Sequence, residues 1–267
     1  MVPVPREPLL RVARAALMQS PAGLVTDFDG TLAPIVSDPR AAAPTASAVP
    51  ALNRLAERLA VVAVITGRAA LDARRLLGGP ARIWIVGNHG LEWLPPGSDE
   101  PEPTPNALAL RAAVSKAATR VPVLDGVTIE EKGLSATIHY RLAPDPKAAR
   151  SAILDALAGA EHDLEVREGR QSVELRPRGA GDKGSALRSI VERFGLRGLL
   201  VSGDDLTDVD MFRVARELRG RGLRSVVLAI AGSDEVPSSV SGAADATLVD
   251  PAAFADLLKA LADEEPG

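Results

Sequence analysis

Two aspartates, two residues apart, follow the first strongly apolar stretch of this sequence. The stretch Gly23-Leu24-Val25-Thr26 leads directly into Asp27-Phe28-Asp29-Gly30-Thr31. A carboxylate can attack phosphorus and form a covalent intermediate, which divides a difficult displacement into two easier steps. A second carboxylate nearby can protonate the leaving oxygen and later activate water. A pair of this kind standing alone is more often a turn or a helix cap, but together with the polar residues at other strand ends it predicts phosphoryl-transfer chemistry. Gly30 would allow backbone amides to approach phosphate oxygens.

Further polar residues follow other apolar stretches or begin a predicted helix: Thr66-Gly67-Arg68, Asn88-His89, Lys183, and Asp204-Asp205 with Asp208. Ligands of an open parallel sheet bind beyond the carboxyl ends of its strands, so we expect these residues to meet at one edge. Carboxylate oxygens suit Mg²⁺, which completes its shell with water and phosphate. Mg²⁺ and Lys183 would offset the repulsion between an anionic nucleophile and a phosphate group, and Thr66 can donate its hydroxyl to a phosphate oxygen.

The apolar stretches that precede these residues are typical of buried strands. Val61–Ile65 is β-branched, continuous and too short for a buried helix, and similar stretches occupy residues 83–86, 198–202 and 226–230. Amphipathic helical spacing separates the stretches, at residues 9–17, 49–59, 69–77, 183–194, 208–218 and 252–261. This alternation predicts an α/β fold, with a parallel sheet and helices on both of its faces.

Residues 105–178 have a different pattern, which predicts an inserted α+β module. A proline-rich linker precedes the module, and Leu134–Tyr140 alternates strictly between apolar and polar residues. Such alternation is typical of a sheet with one buried and one exposed face, with Ser135, Thr137 and His139 on the exposed face. The predicted organisation is a core formed by residues 1–104 and 179–267, interrupted by this module.

The same alternation places ionisable side chains on one face of the module's sheet. If Ile129 belongs to the buried face, Glu130 and Lys132 lie on the opposite one, and Glu174 and Arg176 likewise oppose their apolar neighbours. Charged residues at a spacing of two can bind sugar hydroxyls through charge-assisted hydrogen bonds. A salt-bridged face exposed to solvent is the alternative.

Composition excludes several classes of function. The 267 residues include no cysteine, which excludes disulfides, thiolate zinc sites and a cysteine nucleophile. The net charge is -4, and no block of Lys or Arg offers a surface for nucleic acid or membranes. No apolar run approaches the roughly 20 residues needed to span a bilayer. We expect a soluble, cytoplasmic monomer with an acidic C-terminal tail at residues 263–267.

The motifs resemble those of a known superfamily. Residues 27–32, Thr66, Lys183 and Gly203-Asp204-Asp205 match, in order, the four signatures of the haloacid dehalogenase (HAD) superfamily of phosphatases. Between about Gly23 and Phe212 the chain is similar to the trehalose-6-phosphate phosphatase family, in the segments 65–68, 87–92, 130–133, 139–141, 173–177 and 203–208. The resemblance implies a Rossmann-like core with a C2-type cap between the second and third motifs.

The resemblance also implies roles for single residues. Asp27 would be the nucleophile and Asp29 the general acid/base. The Mg²⁺ ion would be held by Asp27, the backbone carbonyl of Asp29 and Asp204, with Asp205 and Asp208 in supporting positions.

Substrate contacts are implied in the same way. Thr66 and Lys183 would bind the phosphoryl group. The cap residues Glu130, Lys132 and Glu174 would bind the distal glucose of a disaccharide phosphate, and Asn88 and His89 would lie near the border of core and cap. Val209 departs from the family, which often has Glu at this position, so Mg²⁺ affinity could differ.

Several alternatives remain open from the residues alone. Arg68 either binds phosphate or anchors the following helix, and Asp205 and Asp208 could cap the helix after them. The substrate could be another phosphosugar, such as sucrose phosphate or mannosyl-3-phosphoglycerate. The chain could also be a catalytically silent sugar-phosphate-binding module or a phosphomutase, although the full set of catalytic residue types favours the phosphatase.

Overall fold

The computed structural model describes residues 6–36, 38–79, 82–169, 171–231 and 237–263. The chain divides into two compact units, the first comprising Met1–Pro101 and Asp182–Gly267 and the second Glu102–Gly181. The module predicted at residues 105–178 lies inside the second unit. Of the expected acidic tail at residues 263–267, residues 264–267 lie outside the described residues.

The strands within the described residues follow in chain order: β1 (Ala22–Thr26), β2 (Val61–Ile65), β3 (Trp84–Gly87), β4 (Glu92–Leu94), β5 (Glu102–Pro103), β6 (Thr128–Glu131), β7 (Ala136–His139), β8 (Leu164–Gly169), β9 (Ser172–Pro177), β10 (Gly198–Gly203), β11 (Arg224–Ile230) and β12 (Ala246–Leu248). The α-helices are α1 (Arg6–Leu17), α2 (Ala48–Ala56), α3 (Ala70–Leu76), α4 (Pro105–Ala118), α5 (Pro146–Leu157), α6 (Lys183–Phe194), α7 (Asp208–Arg219), α8 (Ser238–Ala243) and α9 (Pro251–Ala262). Short 3₁₀ turns cover Pro39–Ala41 and Asn88–Gly90.

The first unit is built on a mostly parallel sheet, which confirms the predicted α/β fold. Its strands lie in the order β12-β11-β10-β1-β2-β3-β4, and all neighbouring pairs are parallel except β3 and β4. Every residue of β1, β2 and β10 is buried, as expected for strands covered on both faces.

Two apolar clusters cover the faces of this sheet. Leu24 belongs to the cluster formed with α1, α2, α3 and α9, whereas its neighbour Val25 belongs to the cluster formed with α6 and α7. Successive side chains of a strand point to opposite faces, so each buried strand contributes residues to both clusters. Because β10, β1 and β2 are adjacent and parallel, the residues that follow them meet at one edge of the sheet.

The second unit contains an antiparallel sheet in the order β6-β7-β9-β8. One face of this sheet packs against α4 and α5, and Val114, Ile138, Ile153 and Val173 are buried between them. This arrangement agrees with an α+β module.

Three details of the alternation prediction are wrong. Ile129 is 41% exposed, because β6 is an edge strand and its residues are all exposed. Ser135 and Thr137, expected on the exposed face, are 1% and 8% exposed. Thr137 is paired in register with both Glu130 and Glu174, so its short side chain lies between two longer ones.

Arg176, also expected on the polar face, is only 2% exposed. Its Nη2 donates a hydrogen bond of 3.0 Å to the carbonyl oxygen of Gly181. No helix among the described residues combines the length and the apolar character needed to cross a membrane.

Candidate active site

Asp27 lies at the centre of the carboxyl edge of the first unit's sheet. It directly follows β1, and its N–H donates to the carbonyl oxygen of Ser202 in β10 at 3.0 Å, which continues the ladder between the two strands. The residue is only 4% exposed. The backbone therefore holds this carboxylate in a fixed, nearly dry position.

Lys183 connects Asp27 to a second carboxylate. Its Nζ lies 2.8 Å from Oδ1 of Asp27 and 2.7 Å from Oδ1 of Asp208, and the lysine is 3% exposed. Lys183 begins α6, where Asp182 and Ser185 form a reciprocal capping box. The capped helix start fixes the lysine backbone, so the ammonium group reaches both carboxylates.

Asp208 organises the loop that follows β10. Its Oδ2 accepts hydrogen bonds from the N–H groups of Asp204 (2.9 Å) and Asp205 (3.1 Å), while its Oδ1 accepts from Lys183. A Cβ atom at Gly203 would lie 2.4 Å from the Asp208 side chain, so this carboxylate packs directly on the glycine. Asp208 therefore sets the conformation of the Asp204 segment.

Asp204 packs against the loop that follows β1. Its Oδ1 accepts a hydrogen bond of 3.1 Å from the Thr31 hydroxyl. Gly30 has a φ of +78°, and a Cβ atom there would lie 2.0 Å from Oδ2 of Asp204. Glycine is therefore required at this position both by the backbone conformation and by the approach of the carboxylate.

The carboxylates at this edge outnumber the single buried lysine. Burial raises the pKa of Asp27 well above its usual range, and the charges of Asp208 and Asp204 raise it further against the opposing effect of Lys183. Burial, with the charges of Asp208 and Asp205, raises the pKa of Asp204 to about 8. These raised pKa values mean that Lys183 alone does not balance the ionised carboxylates, and a further cation would favour their ionised forms.

For Lys183 and Asp205, unlike Asp27 and Asp204, the neighbouring charges and hydrogen bonds outweigh burial and favour the ionised form. Burial alone would lower the pKa of Lys183, but the charges of Asp208 and Asp27 raise it well above its usual range. Burial would raise the pKa of Asp205, but the charge of Lys183 and hydrogen bonds from Thr207 bring it below its usual value. Lys183 is therefore charged, and Asp205 is readily ionised.

A divalent cation fits this arrangement. Carboxylate oxygens of Asp27, Asp204 and Asp208 lie within 4.8 Å of one another, and among the described residues these three form the acidic cluster able to hold a metal ion. Hard oxygen ligands of this kind suit Mg²⁺. The positive charge of the ion would offset the neighbouring carboxylate charges that raise the pKa of Asp204. The structure brings Asp208 into this cluster with Asp27 and Asp204, whereas Asp205, for which the resemblance implies a supporting position as it does for Asp208, is not one of these three carboxylates. Oδ1 of Asp205 instead accepts hydrogen bonds from the N–H and hydroxyl of Thr207.

The Thr66-Gly67-Arg68 segment follows β2, which is the neighbour of β1 in the sheet, and Asp27 follows β1. The Thr66 hydroxyl oxygen accepts a hydrogen bond of 3.2 Å from the Arg68 N–H, so its own hydrogen can be donated to a ligand. The carbonyl oxygens of Arg68 and Thr66 accept from the N–H groups of Asn88 (2.7 Å) and His89 (2.8 Å), which follow β3. The ends of β2 and β3 are thereby joined.

The Arg68 side chain turns towards the end of β1. Its Nε and Nη2 donate to the two carboxylate oxygens of Asp29 at 2.7 and 2.6 Å. The guanidinium also lies 5.3 Å from the centroid of the Phe28 ring. Phosphate binding and helix anchoring were the two roles that the sequence left open for Arg68, and this ion pair is neither of them. Arg68 and Asp29 are 39 residues apart, and no local pattern connects them.

Asn88 and His89 have structural contacts within the first unit. The Asn88 side-chain N–H donates to Oε1 of Glu92 at 2.9 Å, and the same oxygen accepts from the N–H of Ala70 at 2.7 Å. His89 packs against Gly67, where a Cβ atom would lie 2.5 Å from the imidazole Nε2. No local pattern predicted this role of Glu92. The N-cap residue of α3, Ala69, makes no side-chain capping hydrogen bond, and Glu92 accepts the Ala70 N–H in its place.

The predicted sugar-binding residues lie on the sheet of the second unit. The His139 imidazole Nε2 lies 3.1 Å from Oε2 of Glu130, and the Lys132 ammonium lies 4.0 Å from the same oxygen. Glu174 is paired in register with Thr137 and Arg167. The second unit thus presents a row of polar residues across adjacent strands.

A buried aspartate beside a lysine and further carboxylates, at the carboxyl edge of a parallel sheet, is the arrangement of HAD-like α/β phosphatases. The chain belongs to the trehalose-phosphatase family, because its residues 25–245 match the model of that family. This result confirms the resemblance seen in the motifs.

Individual proteins show the same relationship. The trehalose-phosphate phosphatase of Mycobacterium avium (strain 104) is 35% identical over 246 residues, covering 89% of this chain and 61% of the relative. The chain therefore spans about three fifths of that relative's length.

Solved structures agree over nearly the whole chain. The C-terminal domain of Candida albicans trehalose-6-phosphate phosphatase has a TM-score of 0.76 at 25% identity, covering 98% of this chain and 99% of that one. Aspergillus fumigatus trehalose-6-phosphate phosphatase has a TM-score of 0.64 at 27% identity, covering 98% of each chain.

Proposed function

We propose that this chain hydrolyses trehalose 6-phosphate to trehalose and phosphate through an aspartyl-phosphate intermediate. The main support is the buried contact of Lys183 with Asp27, in a cluster whose carboxylates need a further cation. Membership of the trehalose-phosphatase family supports the substrate.

In the first step an Asp27 carboxylate oxygen attacks the phosphorus atom and forms the new P–O bond. The bond between phosphorus and the sugar oxygen breaks, and Asp29 delivers a proton to that oxygen, so that trehalose leaves as a neutral alcohol. Lys183 and the Thr66 hydroxyl would bind the phosphoryl oxygens and stabilise the charge that develops on them.

In the second step a water molecule attacks the phosphorus atom of the aspartyl phosphate. Asp29, now ionised, takes a proton from this water, the bond to Asp27 breaks, and inorganic phosphate leaves. The 39% exposure of the Asp29 side chain is compatible with access by water. Asp27 returns to its ionised form for the next cycle.

Mg²⁺ would be held by Asp27, the Asp29 carbonyl oxygen and Asp204, with Asp205 and Asp208 around them, and would offset the repulsion between the nucleophile and the phosphate. Asp208 would act mainly by holding Lys183 and the Asp204 loop in place.

Sugar recognition is assigned to the second unit. Glu130, Lys132 and Glu174 would bind hydroxyl groups of the distal glucose through charge-assisted hydrogen bonds. Their alternation along adjacent strands supports this role, since it spaces charged side chains along one face. Asn88 and His89 remain proposed substrate contacts.

The test is phosphate release from trehalose 6-phosphate with and without Mg²⁺, comparing the native protein with Asp27→Asn. We expect Mg²⁺-dependent release that disappears in the variant, because an amide oxygen is a far weaker nucleophile than a carboxylate. Asp155→Asn, the same change at an exposed position of α5, serves as the control and should retain full activity.

Other substrates separate the remaining alternatives. Release from glucose 6-phosphate and sucrose phosphate should be much weaker than from trehalose 6-phosphate. Stronger release from either would preserve the mechanism and overturn the assignment of the sugar. Binding of sugar phosphates without any release would indicate a catalytically silent module.

A further inference from the structure

We propose that Arg68 is the positioning residue for the acid/base carboxylate of Asp29. The proposal rests on the proposed function, since it takes Asp29 as the group that exchanges a proton with the leaving oxygen. It replaces direct phosphate binding as the main role of Arg68.

The geometry of the contact favours positioning. Nε and Nη2 of Arg68 reach both oxygens of Asp29, at 2.7 and 2.6 Å, and such a two-point contact fixes the carboxylate plane as well as its distance. Each carboxylate oxygen has two lone pairs, so Arg68 can stay in place while Asp29 exchanges a proton with substrate or water.

The two partners differ in their exposure. The Arg68 side chain is 14% exposed, whereas that of Asp29 is 39% exposed. The guanidinium carbon of Arg68 lies over the Phe28 ring, 5.3 Å from the ring centroid, in a cation–π contact. Arg68 is therefore the fixed partner, and Asp29 is the group that reactants can reach.

The backbone of Arg68 is fixed from two sides. Its N–H donates to the Thr66 hydroxyl oxygen, and its carbonyl oxygen accepts from the N–H of Asn88 at 2.7 Å. The same segment thus orients the Thr66 hydroxyl and, through Arg68, the Asp29 carboxylate. Arg68 couples the end of β2 to the end of β1.

Leaving-group dependence distinguishes positioning from phosphate binding. A sugar oxygen needs a proton to leave, whereas p-nitrophenolate leaves as a stable anion and needs little acid assistance. The parameter kcat/KM reports the steps up to release of the leaving group, so it is measured for trehalose 6-phosphate and p-nitrophenyl phosphate with Mg²⁺. The variants are Arg68→Met, Asp29→Asn and the double variant.

We expect Arg68→Met to lower kcat/KM for the sugar phosphate by at least about tenfold, a part of the 10²- to 10⁴-fold contribution of general acid catalysis. The aryl phosphate should change by less than about threefold on the same basis. The double variant should be no slower than Asp29→Asn alone, because Arg68 then has no carboxylate to orient.

Three outcomes would overturn the proposal. Equal losses on both substrates, adding to those of Asp29→Asn, would show that Arg68 binds the phosphoryl group directly. If Asp29→Asn itself lacks leaving-group dependence, the acid/base assignment of the proposed function fails first, and the role of Arg68 fails with it. If only Asp29→Asn shows the dependence, the Arg68 proposal alone fails.

Arg75→Met is the matched control. Arg75 lies on α3, and its side chain is 60% exposed beside Asp72. This variant should leave both kcat/KM values unchanged. Thermal unfolding of Arg68→Met and Arg75→Met shows whether either loses folded protein at the assay temperature.

Discussion

At the scale of single residues, the candidate site depends on two glycines that carboxylates approach so closely that no larger residue would fit there. Gly30 and Gly203 lie directly beneath the carboxylates of Asp204 and Asp208. Lys183 then distributes one positive charge between Asp208 and Asp27. These carboxylates and Lys183 are thus held by packing and by charge at the same time.

We expect Gly30→Ala to abolish activity. The new methyl group would lie 2.0 Å from the Asp204 Oδ2, so the carboxylate must move away from its position. Gly78→Ala is the control, because Gly78 has a similar φ of +74° but nothing within 4 Å of the added Cβ. Both variants incur backbone strain of about 1–2 kcal/mol.

Phosphate release and thermal unfolding of the two alanine variants separate these effects. Similar losses of stability with activity lost only in Gly30→Ala would support the steric explanation. An active Gly30→Ala protein would contradict the placement of Asp204 against this loop.

At the scale of elements, residues distant in sequence complete the helix and strand ends that carry the site. Ala69 provides no side-chain cap for α3, and Glu92 in β4 accepts the Ala70 N–H instead. The same oxygen holds Asn88, which follows β3. Glu92 therefore connects the start of α3 to the turn that carries His89.

We expect Glu92→Ala to destabilise the first unit by about 1–3 kcal/mol, because two buried donors lose their acceptor. Glu92→Gln should be nearly neutral at acidic pH, since the amide oxygen can accept both hydrogen bonds. Denaturant unfolding of the three proteins measures these differences. A neutral Glu92→Ala variant would contradict the proposed cap.

The pH dependence of the same comparison has a defined sign. Burial raises the pKa of Glu92 above its ordinary value near 4.5, against the opposing effect of the hydrogen bonds that it accepts from the Ala70 N–H and the Asn88 side chain. A raised pKa in the folded state means that its contribution to stability is full below the unfolded pKa and declines as pH rises through the folded pKa. The native protein should therefore lose stability relative to Glu92→Gln over that range. A difference that is constant with pH would contradict the raised pKa.

At the scale of the whole molecule, folding assembles a negative site from strands that are far apart in the chain. Asp27 and Asp204 follow β1 and β10, and Asp208 begins α7. Burial of these carboxylates opposes folding unless a cation offsets their charge. Metal binding and stability should consequently be linked.

We expect Mg²⁺ to raise the thermal unfolding temperature of the native protein. A ligand at 100 times its Kd stabilises a folded protein by about 2.7 kcal/mol. Asp204→Asn should unfold at a higher temperature than the native protein without Mg²⁺, because one buried negative charge is removed, and it should respond little to the ion. An equal Mg²⁺ response in both proteins would place the metal elsewhere, and Asp155→Asn serves as the control.

Much of the fold and part of the site followed from the sequence. Continuous apolar stretches such as Val61–Ile65 predicted the buried parallel strands, because burial on both faces leaves no position for a polar residue. Asp27 and Lys183 were singled out because strand ends and helix starts can be located from local patterns. The structure brings these two side chains into contact.

Only the tertiary structure decided which side chains pair across the strand ends. The contact of Arg68 with Asp29, and the use of both Asp208 oxygens by Lys183 and the loop amides, depend on which strands are neighbours. The exposure of Ile129 depends on β6 being an edge strand. Sequence periodicity reports which residues of one element share a face, but partners on other elements are selected by strand order and packing, which a local pattern does not contain.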